Sequence, residues 1–178
     1  MFSSGFVTAL VSLSLFSSEH GSMLVDARAA KSDRNDYPEI HKAFKEWGEN
    51  MYWASYDCET EDGYELTMFR LTGLKKRKKV ADQWSKGVVL LLHGFSKDAY
   101  TWFDHRRGDV SKPFLPTTLF ERGYDVWLGN VRGTRYSITH PDYDPINDNS
   151  DAKEYFDYEA TVIAKNDIPA MVKLIMDT

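Results

Sequence analysis

The stretch Gly87-Val88-Val89-Leu90-Leu91-Leu92-His93-Gly94-Phe95 decides how this chain folds. Five consecutive apolar residues, two of them β-branched, fit a strand buried on both faces, and the run is too short for a helix of typical length. It leads straight into His93-Gly94, where glycine lets the backbone turn sharply and come close to another group. A buried parallel strand ending in such a loop delivers backbone N–H groups to the carboxyl edge of a sheet, which is where open α/β sheets place their ligands. Taken alone, the stretch reads equally well as a core strand followed by a tight turn, so its neighbours must decide.

Downstream, Tyr124-Asp125-Val126-Trp127-Leu128 reads as a second buried strand ending in Gly129-Asn130. Between the two lies a polar segment, Lys97 to Val110, with Trp102-Phe103 embedded. A short helix follows from Pro116 to Arg122, with Leu115 and Leu119 on one face and Gly123 just past its end. Strand, helix, strand at this spacing is a βαβ unit, which makes the two strands parallel with a right-handed crossover. Upstream, Tyr52, Ala54, Tyr56 and Cys58 alternate with Trp53, Ser55, Asp57 and Glu59. Glu61-Asp62-Gly63 supplies a hairpin turn, and Tyr64, Leu66 and Met68 resume the alternation as far as Thr72. Before the hairpin, Ile40, Ala43, Phe44 and Trp47 have the spacing of a short amphipathic helix from Pro38 to Trp47, with Asp36 placed to cap it and Gly48 to end it. Lys75-Lys76-Arg77-Lys78-Lys79 falls between two strands and reads as a solvated loop rather than a localisation signal or phosphate-binding patch.

After Asn130 the chain is loop-rich as far as Ser150, and Phe156 to Ala164 reads as a helical turn or two. A helix then runs from Asn166 to Thr178, with Asp167 as its cap, Pro169 in its first turn, and Ile168, Met171, Val172 and Ile175 as its apolar face. Nothing follows that helix in the sequence, so the α/β pattern is incomplete. Half a sheet is expected to leave Val126 and Leu128 uncovered, and the expressed chain to aggregate or pack loosely.

The 178 residues suit one domain, and 42% apolar and 28% charged residues are ordinary for a globular protein. A net charge of −5 argues against nucleic acid as a partner. A single cysteine, Cys58, excludes an internal disulfide and a cysteine-based metal site, and reads as a small core residue on a strand. Asp142, Asp144, Asp148 and Asp151 lack the glycine and terminal glutamate of an EF-hand loop, so no metal or cofactor is implied. Residues 1–30 read differently. Phe6 to Phe16 is an apolar run of signal-peptide length, too short to span a bilayer, and Ala27-Arg28-Ala29 has the pattern of a cleavage site. No Lys or Arg precedes the run, and the triplet lies far beyond it. A signal peptide and a disordered start are both open for residues 1–30, with the folded domain expected over 31–178.

Glu61-Asp62-Gly63-Tyr64, the strand into His93-Gly94-Phe95, and Gly123-Tyr124-Asp125-Val126-Trp127-Leu128-Gly129-Asn130-Val131-Arg132-Gly133 together resemble the acid lipase family. This is the gastric and lysosomal type of neutral-lipid hydrolase within the α/β-hydrolase fold. Tyr158-Glu159 and Lys165-Asn166-Asp167-Ile168-Pro169-Ala170 extend the similarity in the same order, which covers roughly Glu39 to Met176. The Tyr-Asp-Val-Trp-Leu-Gly-Asn-x-Arg-Gly string is the most specific part of it.

The resemblance implies an incomplete α/β-hydrolase fold: the N-terminal hairpin plus the first parallel strands and helices of the central sheet. It implies ester hydrolysis of triacylglycerols or sterol esters in lipid catabolism, and contact with a lipid interface. If residues 1–30 are a signal peptide, it implies a secreted or a lysosomal/vacuolar protein. Phe95 falls at the family's oxyanion position, where the residue after His93-Gly94 donates a backbone N–H; the family usually has leucine there. His93 belongs to that loop and is not the catalytic base, while Asn130, Arg132 and Gly133 match a structural loop. The family's Gly-x-Ser-x-Gly nucleophile elbow, and the Asp and His that follow it, are not in these residues. Ser96, in Gly94-Phe95-Ser96-Lys97-Asp98, is misplaced for a nucleophile, and His20, His41, His105 and His140 precede any family base position. The chain alone is therefore expected to be inactive. Two alternatives stand beside this one: a non-catalytic truncated product that binds lipid or a full-length relative through its sheet edge, and a different α/β hydrolase such as a carboxylesterase.

Overall fold

A computed structural model describes residues 10–13, 37–47, 51–74, 86–103 and 114–178. The central apolar run forms β4 (Val88–Leu92), and the second forms β5 (Asp125–Gly129), parallel to it with Val88 opposite Asp125 and Leu92 opposite Gly129. The hairpin is β2 (Met51–Glu59) and β3 (Glu65–Leu74), paired from Glu59↔Glu65 outward with a register shift at Tyr52/Trp53. Gly63 turns it at φ +89°, a conformation that favours glycine. β3 then pairs antiparallel with the outer side of β5.

β5 is consequently an inner strand, which corrects the expectation drawn from half a sheet. Val126 and Leu128 are fully buried, covered by strands on both sides. A fifth strand, β1 (Leu10–Leu13), comes from the leader-like segment and pairs antiparallel with β4, giving the order β1-β4-β5-β3-β2.

Period-two alternation sends β4 side chains to two cores, as a strand buried on both faces requires. Val89 and Leu91 pack with Val126, Leu128, Phe69 and Leu71. That face is closed by Ile40, Ala43 and Phe44 of a helix that begins as α1 (Pro38–Lys42) and continues as a π-turn (Ala43–Trp47), by the 3₁₀ turn Ala99–Phe103, and by α2 (Leu115–Glu121). Leu90, Leu92 and Trp127 face the other way, against Tyr155 of α3 (Asn149–Tyr155) and Met171 and Leu174 of α5 (Ile168–Asp177). α4 (Ala160–Val162) and a π-turn (Ile163–Asp167) lead into α5. A Cβ at Gly129 would stand 2.7 Å from Met171 Sδ and 2.8 Å from a Leu92 methyl, so the glycine lets α5 sit on the end of β5.

Several local expectations shift. α1 starts after Tyr37, without a side-chain cap; Asp36, Gly48, Lys75 to Lys79 and His105 lie outside the described residues. Leu115 is exposed, and α2 instead buries Pro116, Thr117 and Phe120. On α5 the fully turned-in residues are Met171 and Leu174, with Ile168 and Ile175 at the margin. α3 begins at the end of the stretch read as loop-rich and continues through Asp151 to Tyr155, for which no element is expected; Asp148 caps it by accepting the Ser150 and Asp151 N–H groups. Cys58 packs beside the α5 core, and burial, followed by the charges of Asp57 and Asp167, pushes its thiol up to about 12, so it stays a neutral, unreactive group.

Candidate active-site edge

The carboxyl ends of β4 and β5 point the same way and open into one cleft of about 650 Å³. Its walls are the β4 loop from His93 to Asp98, the β5 loop from Val131 to Arg135, and Phe156, Tyr158 and Ile163. His93, Gly94, Phe95 and Ser96 thus share one cleft with Arg132 and Gly133.

The β4 loop is a tight turn. Gly94 C=O accepts from Lys97 N–H at 3.2 Å, and Ser96 sits inside the turn at φ +55°. His93 bridges the two loops: its Nε2 is 3.2 Å from Val131 N, and its Nδ1 is 2.9 Å from Gly94 O. A main-chain N–H can only donate, so Nε2 is the acceptor, and the proton is on Nδ1, donated to the Gly94 carbonyl. That assignment needs a neutral ring. Burial, the dominant influence, lowers the His93 pKa and favours that form, against smaller opposing pulls from Gly94 and Asp98.

With the Gly94 carbonyl held on one side, the trans peptide turns Phe95 N–H to the opposite side. Among the described residues, no acceptor is paired with that N–H. The Phe95 ring is 91% exposed. Ser96 is exposed as well, and His140 lies elsewhere, contacting the Asp62 carbonyl and the Asp142 N–H.

The β5 loop is anchored from below. Asn130, fully buried, accepts Ala99 N–H at 2.8 Å and donates to Thr67 C=O at 2.8 Å, tying the segment after the β4 loop to β3. Arg132 is the centre of a clamp. Its guanidinium binds Asp62 of the hairpin turn through two bonds, 2.7 and 2.8 Å, and Asp167 through Nε at 2.7 Å. Its backbone N–H gives a further bond to Asp167 at 2.8 Å. The Tyr64 ring lies 3.8 Å from the guanidinium carbon, and Tyr158 O–H donates to the Arg132 carbonyl.

Burial opposes the Arg132 charge, but the bonds to Asp62 and Asp167 outweigh it and hold the group protonated. The hydrogen bond from Arg132 puts the Asp62 carboxyl well below the usual carboxylate range. Asp167, with no exposed side-chain surface, is pulled upward by burial against the hold of Arg132. Asp167 was expected to cap α5, yet its side chain makes no cap bond and is spent on Arg132. Gly133, at φ +74°, follows directly, and a Cβ there would run into the Tyr158 hydroxyl.

Among the described residues, no three His, Cys, Asp or Glu side chains are grouped to hold a metal ion, and no helix is long and apolar enough to cross a membrane. The sequence placed Asp62 in a turn and Asp167 at a helix start. That both meet Arg132 is visible only in three dimensions.

Residues 44–105 match the model of the partial alpha/beta-hydrolase lipase region. A probable lipase from Schizosaccharomyces pombe is 36% identical over 126 residues, which are 68% of this chain and 25% of that protein. Human lysosomal acid lipase/cholesteryl ester hydrolase is 32% identical over 130 residues, 71% of this chain and 30% of that protein. Triacylglycerol lipase 1 of Arabidopsis thaliana is 31% identical over 169 residues, 95% of this chain and 37% of that protein. The chain thus spans between a quarter and two fifths of the length of these relatives.

Proposed function

We propose that this chain, which matches the partial alpha/beta-hydrolase lipase region and is similar to acid lipases, supplies the oxyanion side of a neutral-lipid ester hydrolase. Phe95 N–H would donate to the charge that develops on the ester carbonyl oxygen during acyl transfer. The carrying observation is the orientation of one peptide: His93 and Lys97 hold the Gly94 carbonyl, leaving the Phe95 N–H turned away from both. Leu92, Phe156, Tyr158 and Ile163 line the same cleft and suit an acyl chain. The substrate is an ester of a neutral lipid, a triacylglycerol or sterol ester, met at a lipid interface. Lysosomal and gastric relatives support delivery to a lysosome or secretion. N-terminal sequencing of the protein recovered from its native source tests whether residues 1–30 are removed.

Acyl transfer also needs a nucleophile and a base to activate it, and these residues supply neither, so the 178-residue chain alone should hydrolyse no lipid ester. The test joins this chain to the remaining portion of human lysosomal acid lipase and assays a short-chain aryl ester. The chimera should be active. Phe95→Leu should keep that activity, whereas Phe95→Pro, which removes the donor, should lower kcat about 10²–10³-fold. A folded Phe95→Pro chimera with undiminished kcat would contradict the assignment.

A further inference from the structure

Just past the Arg132 clamp, the β5 loop carries a second charged contact that reaches the β4 loop. Thr134 to Ser137 is a tight turn, closed by Ser137 N–H donating to the Thr134 carbonyl at 2.9 Å. Ser137 is buried and pinned: its hydroxyl donates to the Asn130 carbonyl at 2.9 Å and accepts the Thr67 N–H at 3.0 Å. Arg135 is therefore presented from a fixed base. Its guanidinium carbon lies 4.7 Å from the centre of the Tyr136 ring and 5.5 Å from that of Tyr100. Nη1 pairs with Glu39 of α1, and Nε with Asp98 at 2.8 Å.

Asp98 is where the β4 loop ends. One carboxylate oxygen takes the Arg135 bond and the other accepts Tyr100 N–H at 2.8 Å, while the Asp98 carbonyl accepts Thr101 N–H at 3.0 Å and opens the 3₁₀ turn. Lys97, the residue before it, donates to the Gly94 carbonyl, and that carbonyl sets the aim of the Phe95 N–H. The turn is thus supported on its first leg by His93 and on its last by Asp98. An isolated surface ion pair holds little, because two long side chains must be ordered to make it. Here Asp98 is largely covered, and Arg135 is already confined by two rings and a second carboxylate.

Resting on the assignment of the Phe95 N–H as oxyanion donor, we propose that Arg135 is a positioning residue for it: through Asp98 it fixes the far leg of the turn that aims the donor. Arg135 and Asp98 both line the cleft wall. Asn130 holds the neighbouring Ala99 N–H from below, so losing Arg135 loosens the leg rather than freeing it, and the effect should be smaller than that of removing the donor.

The experiment uses the chimera with human lysosomal acid lipase and the same short-chain aryl ester. Arg135→Gln should lower kcat about three- to tenfold with KM held within about twofold, because a misaimed donor weakens the transition state and not substrate binding. In the Phe95→Pro chimera, where no donor remains to be aimed, the same substitution should lower kcat no further. Undiminished kcat in Arg135→Gln, or an equal loss with and without the Phe95 donor, overturns this proposal alone. A fully active Phe95→Pro chimera overturns the oxyanion assignment and this proposal with it.

A second readout needs no catalysis. In the 178-residue chain, Arg135→Gln should quicken exchange of the Lys97 amide hydrogen about tenfold while leaving that of Val131, on the His93 side, within about twofold. Unchanged exchange at Lys97 also overturns the proposal.

Discussion

The two loops at the carboxyl ends of the parallel strands share a cleft and are built on opposite plans. The β5 loop is locked: Arg132 is buried between Asp62 and Asp167, Asn130 is bonded on both sides, and Gly133 is pressed against Tyr158. The β4 loop has one exposed ring, a turn of four residues, and two ties to its neighbour, the strut from His93 to Val131 and the ion pair of Asp98 with Arg135. The contrast shows where positional accuracy originates. A short loop with a free N–H is steady only if something else is fixed, and here the fixed body is the clamp around Arg132.

Breaking the clamp should have the largest effect. Arg132→Leu leaves Asp167 buried without its partner and should cost about 3–5 kcal/mol, read as a fall in the denaturation midpoint. Gly133→Ala attacks the same loop through its backbone. A left-handed residue with a Cβ aimed at the Tyr158 hydroxyl should cost about 2 kcal/mol in a chemical-denaturation series. His93→Phe removes the strut alone. Two hydrogen bonds are lost, so about 1–3 kcal/mol should go, with amide exchange quickened at Lys97 and Val131 but not in the Arg132 clamp. Phe95→Leu should change stability by less than about 0.5 kcal/mol, because the ring touches mainly solvent.

Acid separates the two loops as well. The folded pKa of His93 lies below its unfolded value of about 6.5, so the unfolded chain takes up the proton first. Its contribution should therefore decline as pH falls from about 6.5 toward the folded value, and that slope should vanish in His93→Phe. The folded pKa of Asp62 is likewise depressed, so its contribution is complete above the unfolded value near 4 and is lost only as pH falls toward the lower folded one. Thermal melts across this range should show two separated steps, the strut's first and the clamp's later.

How much of this could be read in the sequence follows from how local each signal is. β4, β5 and the hairpin were legible because burial writes itself as an apolar run or as alternation over a few residues. α3 was not, because only Tyr155 of its seven residues is buried and no periodicity forms; Asp148 ahead of Ser150 and Asp151 was its one signal. Asp167 reads as a cap in the sequence, since an acidic residue before Pro169 looks the same whether it binds its own helix or an arginine 35 positions away. Val126 and Leu128 look uncovered in the sequence because it does not say that the hairpin returns to flank β5. Leu10–Leu13 reads as part of the leader-like segment, for an apolar run of that length serves a leader and an edge strand alike.

The aim of the Phe95 N–H depends most directly on the state of one ring. Long-range ¹⁵N–¹H correlation spectra of the His93 imidazole at pH 6.5, where an ordinary histidine is half protonated, read both nitrogens at once. A neutral ring with the proton on Nδ1 and a bare Nε2 is the predicted result, since only that form donates to Gly94 while accepting from Val131. A proton on Nε2, or a ring already half charged at that pH, would contradict it, and with it the aim assigned to the Phe95 N–H.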